Sequence, residues 1–309
     1  MKPIRLKNPP CEIIVERGIL KKAGSLLAPP GGGPRRFLWL CSLPDTDPAP
    51  SALLASLARA GHTVVRIPDE EYPVYPADVD AIIAVGDDAA LGADVLLAND
   101  RYPGAPTVLV PTTFYAQLAF PFGDAAGLVL CDPSLPVRDA DVRRGIVELI
   151  RYAVGFDRTI FDLLYTDFDR GALIRRCLSI RCDLLAADKT DLFDRLGAPI
   201  GLAVSAALEK RDGSDFDQAD ALAIGLAAAT RYALRIGYCR RDFLSDLVGL
   251  LTYHGLPHSA LVTDRELISS FADASWADGR TNLLSLPRRL GECGLREVDP
   301  ETLTGLLPS

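Results

Sequence analysis

The 309-residue chain has no C-x-x-C pair, no basic block and no aromatics interleaved with basic residues. These absences argue against a zinc ribbon and a nucleic-acid footprint. No apolar run approaches the ~20 residues of a membrane span, and the opening "MKPIRLKNPP" lacks the apolar core of a signal peptide. A cytoplasmic protein is therefore expected. The seven cysteines (Cys11, Cys41, Cys131, Cys177, Cys182, Cys239 and Cys293) are odd in number, which fits buried reduced thiols better than a disulfide framework. Lysine is scarce: six of the 33 basic residues, the rest arginine. What is present is ample apolar material, 49% of residues, with 24% charged and a net charge of -8. That supports one large domain or two ordinary ones.

Residues 11–132 alternate short apolar runs with amphipathic stretches. "CEIIVERG", "RFLWLCS", "HTVVRIP", "AIIAVGD", "TVLVPTT" and "GLVLCDP" read as strands bounded by turn residues. "ILKKAGSLLA" and "PSALLASLARAG" read as helices, and "PPGGGPRR" as a loop. Strand and helix in repetition predict a mostly parallel sheet covered on both faces, a Rossmann-like α/β domain over 1–134. Strand signals almost vanish afterwards. "DADVRRGIVELIRYAVGF", with Val142, Ile146, Leu149, Ile150 and Val154 near one face, "FDQADALAIGLAAATRYALRIG", "RDFLSDLVGLLTYHG" and "TDRELISSFAD" read as helices. An all-α domain over 135–309 is expected. "RLGAPIGLAVSAALEK" reads as a turn and a helix that buries its apolar face.

A colinear series then carries a resemblance: "VLVPTTFYAQ", "GLVLCDPSLPVRDADVRRGIVELIRYAVGFD", "SIRCDLLAADK", "GAPIGLA", "DALAIGLAAATRYA", "GLP" and "DGRTNLLSLPRRLGECGL". The chain resembles dehydroquinate synthase and the sugar-phosphate cyclases from about residue 11 to 305. The resemblance implies a nucleotide-binding α/β domain, a helical domain, and NAD, a divalent metal and substrate in the cleft between them. It also implies a reaction that oxidises a hydroxyl, eliminates phosphate, reduces again and closes a ring. Family members are often homodimers.

The positions that the resemblance assigns to this chemistry are mostly changed. A Glu and two His hold zinc in the family; here they fall on Glu148, Ala198 and Gln218. One carboxylate is too little for a catalytic zinc site. A further substrate-contacting His falls on Leu202, so this segment is expected to have become core. His254 and His258 lie outside the ligand segments and read as surface or loop histidines. Of the nucleotide-binding glycine run only Gly86 remains in "AVGDDAALGAD". Asp87 and Asp88 place negative charge where phosphates would sit, and "GDD" alternatively reads as a solvated helix cap. Gly92 replaces an Asp, and Glu70 and Pro73 fall on a Glu and Lys pair, while Thr112 and Thr113 remain. After "PTTFYAQ" most of the family's active-site loop is missing, and a late Lys pair becomes Ala274 and Ser275 after Asp273, followed by Trp276.

Substrate-binding lysines fall on Arg151 and Arg181, which keep their charge and suit a carboxylate or phosphate. An i,i+3 ion pair between Glu148 and Arg151 is the simpler alternative. Two functional expectations follow. In the first, the scaffold is a repurposed enzyme or small-anion-binding protein of a secondary biosynthetic pathway, working without zinc or NAD. Its site would hold Glu148 as general acid or base and Arg151, Arg181, Thr112 and Tyr115 on the ligand. In the second, it is a noncatalytic pseudoenzyme subunit that pairs with an active homologue or a pathway enzyme. Dehydroquinate synthesis itself is not expected.

Overall fold

The computed structural model describes residues 3–7, 10–67, 76–119, 126–212, 217–273 and 283–307. It divides into two compact units. One comprises 1–142 with 169–182, and the other 143–168 with 183–309.

The first unit holds β1 (Ile4–Lys7), β2 (Pro10–Val15), α1 (Ala23–Leu26), β3 (Arg36–Cys41), α2 (Pro48–Arg59), β4 (Thr63–Arg66), β5 (Ala81–Gly86), α3 (Asp88–Arg101), β6 (Thr107–Pro111), α4 (Phe114–Ala119) and β7 (Ala126–Cys131). The strands form one sheet in the order β1-β2-β7-β6-β5-β3-β4. Every pairing is parallel except β1 with β2. All six expected strands are present. The expected helix over "ILKKAGSLLA" is a 3-10 turn, Ile19–Lys22, followed by the single turn of α1.

The strand period of two explains the packing. Phe37, Trp39, Ile83, Val85, Val110 and Leu130 alternate along their strands and share one core cluster with Leu53 and Leu57 of α2. The intervening Leu38, Ile82, Ala84, Leu109 and Val129 are equally buried. A sheet buried on both faces reads as continuous apolar runs, as these strands do.

The remaining elements are α5 (Asp139–Gly155), α6 (Arg158–Leu163), α7 (Arg170–Ala186), α8 (Thr190–Asp194), α9 (Ala198–Asp212), α10 (Gln218–Arg235), α11 (Arg241–Tyr253), α12 (Asp264–Asp273), β8 (Leu283–Arg289) and β9 (Glu292–Glu297). Three features depart from expectation. The break between units falls after residue 142 rather than 134, and the first unit takes back residues 169–182. Arg170 causes much of this return, donating to the carbonyls of Pro133 and Leu135, the latter at 2.8 Å, while Arg175 donates to Val15 at 2.7 Å. The second unit is not all helical, because β8 and β9 pair as an antiparallel ribbon. The ribbon is docked by backbone bonds, Ser285 N–H to Arg195 at 3.2 Å and Gly291 N–H to Ala153 at 3.0 Å. Finally, Val142 is exposed at the start of α5, whereas Ile146, Leu149, Ile150 and Val154 are buried as expected.

The closest helix contact in the second unit joins α9 and α10. A Cβ on Gly225 would lie 2.0 Å from the Gly197 carbonyl oxygen, and one on Gly201 would lie 2.4 Å from that of Ala221. The small residues of "GAPIG" and "ALAIG" therefore allow backbone-to-backbone approach.

Candidate functional site

The sheet's strand order reverses beside β3, which is followed by β4 on one side and flanked by β5 on the other. In open parallel sheets, ligands bind outside the carboxyl ends of strands at such a reversal. A cavity of about 510 Å³ lies there, entirely within the first unit. Thr112 and Thr113, just after β6, line it together with Asp47 before α2 and Arg138 and Asp141 beyond β7. Leu43, Ala49, Leu135 and four prolines supply apolar surface.

The "PTT…AQ" segment is organised by its own hydrogen bonds. Thr112 N–H donates to Gly86 at 2.9 Å, which ties β6 to the end of β5. The Thr113 hydroxyl oxygen accepts from Ala116 N–H at 3.0 Å and caps α4. Buried Gln117 donates to the Asp132 carbonyl at 3.0 Å. The Asp132 carboxylate in turn accepts from Gly18 N–H at 2.9 Å and Ser134 N–H at 3.0 Å. The motif thus fixes the floor on which Thr112 and Thr113 stand. Tyr115 lies partly buried in α4, and Arg181 partly buried in α7. Neither is among the described residues that line the cavity.

At two helix N-termini of this edge some first-turn donors are taken or missing. Asp87 caps α3, its carboxylate accepting from Ala90 N–H at 2.9 Å. This is the cap reading of "GDD". A carboxylate on the first turn satisfies the donor and opposes a second negative group. Gly86 serves packing, since a Cβ there would stand 2.7 Å from the Ala90 Cβ, whereas Gly92 faces open space. At α2, proline occupies the first and third helical positions, Pro48 and Pro50. Proline has no N–H, so Ala49 alone among these three residues offers a donor. A pyrophosphate bound at a helix start needs such donors.

In the second unit, Glu148 and Arg151 meet on α5. The carboxylate is fully buried and lies 3.5 Å from the guanidinium. Arg151 also donates to the Phe193 carbonyl and stacks on the Phe193 ring at 4.0 Å. Neither Glu148 oxygen accepts a hydrogen bond among the described residues. The i,i+3 pair is therefore present, and the guanidinium is committed inside the unit. Gln218, the first residue of α10, accepts from Arg144 at 3.1 Å through its side-chain oxygen, and the neighbouring Arg143 bonds Asp220. Ala198 begins α9 with no donor atom in its side chain. The three positions to which the resemblance assigns zinc ligands thus hold an ion-paired carboxylate, an amide bonded to an arginine, and a methyl group. Among the described residues no three His, Cys, Asp or Glu side chains gather as a metal-ligand set.

Leu202 corrects one expectation: it is 52% exposed, so this position of α9 is apolar surface, not core. Its neighbours Gly201, Ala203 and Val204 make the buried side. His254 ends α11 with its ring on the Leu164 carbonyl at 3.0 Å, and burial lowers its pKa. His258 contacts Arg231 at 3.2 Å. Both histidines are loop residues tied into the scaffold. The cysteines are free. Burial raises the thiols of Cys11, Cys239 and Cys293 to about 11, which removes them as nucleophiles at neutral pH. A group not foreseen is Asp94 on α3, whose carboxyl is raised to about 6 by burial. Glu70, Pro73, Ala274, Ser275 and Trp276 lie outside the described residues, as does the side chain of Asp273.

A mostly parallel α/β unit followed by a helical unit, with α5 and α10 carrying the positions just described, defines the class: a dehydroquinate synthase-like fold. The solved structures agree. The crystal structure of 2-deoxy-scyllo-inosose synthase superposes with a TM-score of 0.72 at 16% identity, over 99% of this chain and 98% of that one. ValA, a 2-epi-5-epi-valiolone synthase from Streptomyces hygroscopicus subsp. jinggangensis solved with NAD+ and Zn2+ bound, gives 0.69 at 17% identity, over 95% and 94%. At these identities the likeness concerns the fold. By sequence, residues 145–274 match the family described as 3-dehydroquinate synthase C-terminal. The 3-dehydroquinate synthase of Pelobacter propionicus is 28% identical over 251 residues, covering 66% of this chain and 69% of the relative. That of Syntrophotalea carbinolica is 25% identical over 299 residues, covering 80% and 82%. The chain is thus similar to 3-dehydroquinate synthases in sequence, and the family match falls on residues 145–274.

Proposed function

We propose that this family member has left the zinc- and NAD-dependent cyclisation and works as a small-molecule-binding protein or enzyme that needs neither group. The observation that carries the reading is the state of the aligned ligand positions. Glu148 is paired with Arg151, Gln218 is bonded to Arg144, and Ala198 has nothing to donate. A divalent ion there would have to break a buried ion pair and would gain one carboxylate. The α3 terminus supports the NAD half of the reading, because Asp87 already occupies a first-turn N–H. An anionic ligand held by Arg151 fits less well than the sequence implied, since that guanidinium is engaged by Glu148 and Phe193. The strand-end cavity with Thr112 and Thr113 is the better ligand site. A secondary biosynthetic role remains the working assignment for such a protein.

The test combines metal analysis of the purified protein with a phosphate-release assay for dehydroquinate synthase turnover. Substoichiometric metal and no turnover on adding zinc and NAD are expected. Stoichiometric zinc, or turnover dependent on both additions, would overturn the reading.

A noncatalytic subunit is the second reading, and Leu202 favours it. An apolar side chain 52% exposed, at a position aligned with a substrate-contacting histidine, suits a covered surface more than a wet site. Homodimers and heteromers with an active homologue are separated by sedimentation of the chain alone and mixed with that homologue. Leu202→Glu should weaken whichever association exists. A monomer in both samples excludes this reading.

A further inference from the structure

The cavity at the strand ends has a chemistry of its own, and its ligand class deepens the proposal above. From its composition we infer that it binds a hydroxylated small molecule bearing a protonated amine and excludes phosphorylated ligands.

Charge comes first. Asp47 and Asp141 face one cationic liner, Arg138, which lies 3.7 Å from Asp141. That pairing leaves the Asp47 carboxylate as the excess charge. Asp47 precedes α2 in an extended conformation, yet its side chain caps no N–H of the helix. A residue type that normally spends its oxygen on the helix start therefore keeps it for the cavity.

Donors come second. A phosphate needs several, and few are present among the described liners. Pro48 and Pro50 carry no N–H, and Ser51 N–H is spent on the Asp47 carbonyl at 2.9 Å. Arg138 is the one cationic donor among the described liners, its side chain is 82% exposed, and Asp141 adds negative charge beside it. Hydroxyls, by contrast, are well served. Thr112 and Thr113 can each donate and accept, and the Thr113 oxygen that caps α4 leaves its O–H free to donate. The apolar part of the wall, Leu43, Ala49 and Leu135 with the prolines, suits the carbon face of a saturated ring. A cavity of about 510 Å³ lies within the range of small-molecule pockets.

The experiment titrates glucosamine, glucose, glucosamine 6-phosphate and ADP into isotope-labelled full-length protein. Amide NMR shifts of Thr112, Thr113 and Asp47 are followed, in the wild type and in Asp47→Asn. Asn is as good at a helix start as Asp, so the variant keeps α2. Glucosamine is expected to move these signals and to bind more tightly than glucose, with glucosamine 6-phosphate weakest. Asp47→Asn is expected to cost glucosamine about tenfold in affinity, the scale of one charged hydrogen bond, and to leave glucose unchanged. No shift with any sugar, equal binding of glucosamine and glucose, or tighter binding of the phosphate would overturn the inference. ADP separates the two levels of argument. If it moves the α2 and α3 signals, the NAD-free reading fails with this one. If it does not, loss of the amine preference refutes the ligand class alone.

Discussion

The two units use their polar side chains differently. At the carboxyl edge of the sheet lies a roomy cavity whose rim carries Asp47, Asp141 and the prolines Pro48 and Pro50, which have no N–H. In the helical unit the charged groups turn to one another. Glu148 and Arg151 hold each other within α5, while Arg143 and Arg144 clasp α10 through Asp220 and Gln218. A strand-end pocket is made by loops that can change without cost to the core. A charged group on a buried helix face must instead be packed and balanced by a partner. One unit therefore presents an open pocket and the other a structural clasp.

That contrast is sharpest at Arg151. Arg151→Met leaves the buried Glu148 carboxylate uncompensated and should cost about 3–5 kcal/mol in urea unfolding. Adding Glu148→Leu should recover much of that loss, because no lone charge remains. A double variant as unstable as the single one would break the structural account of the pair. Next in size is Gly225→Ala on α10. Its methyl group has no room at 2.0 Å from the Gly197 oxygen, so a loss of about 3 kcal/mol is expected. A neutral result there would mean that α9 and α10 are free to separate.

Rim substitutions in the first unit should be milder. Asp87→Ala removes the α3 cap and should cost about 1 kcal/mol, whereas Asp87→Asn should cost little. Thermal unfolding of the two variants measures the difference. The smallest effects are in pH dependence, and the units give opposite slopes. Asp94 has its folded pKa raised to about 6 from 3.8, so the folded state holds more protons between those values. Its contribution to stability falls as pH rises through that window. His254 has its folded pKa lowered from 6.5, so the unfolded state binds more protons just below 6.5. Stability falls there as pH falls. Asp94→Asn should gain on wild type from pH 4 to 6, and His254→Gln should flatten the decline below pH 6.5.

Much of the scaffold was legible in the sequence because its determinants are local. The apolar runs ending at Cys41, Gly86 and Cys131 are strands, and α12 begins with a capping box in which Thr263 and Glu266 exchange bonds. Elements held by distant backbone were not legible. The β8–β9 ribbon contains Pro287 and five charged residues, and it owes its place to the carbonyls of Arg195 and Ala153. Residues 169–182 join the first unit partly through long arginine side chains that reach Pro133, Leu135 and Val15. At the site, the Glu148–Arg151 pair was visible as an i,i+3 spacing. The cavity was not, because Asp47, Thr112 and Asp141 come from three separate segments. Leu202 was misplaced because hydrophobicity alone does not say which face of α9 is turned outward.

The most direct test of the central claim is thermal unfolding with and without 100 µM zinc and 1 mM NAD. A resident site for either would raise the midpoint through mass action. The account predicts the same midpoint in all samples. A rise of several degrees that vanishes in Glu148→Gln would contradict it.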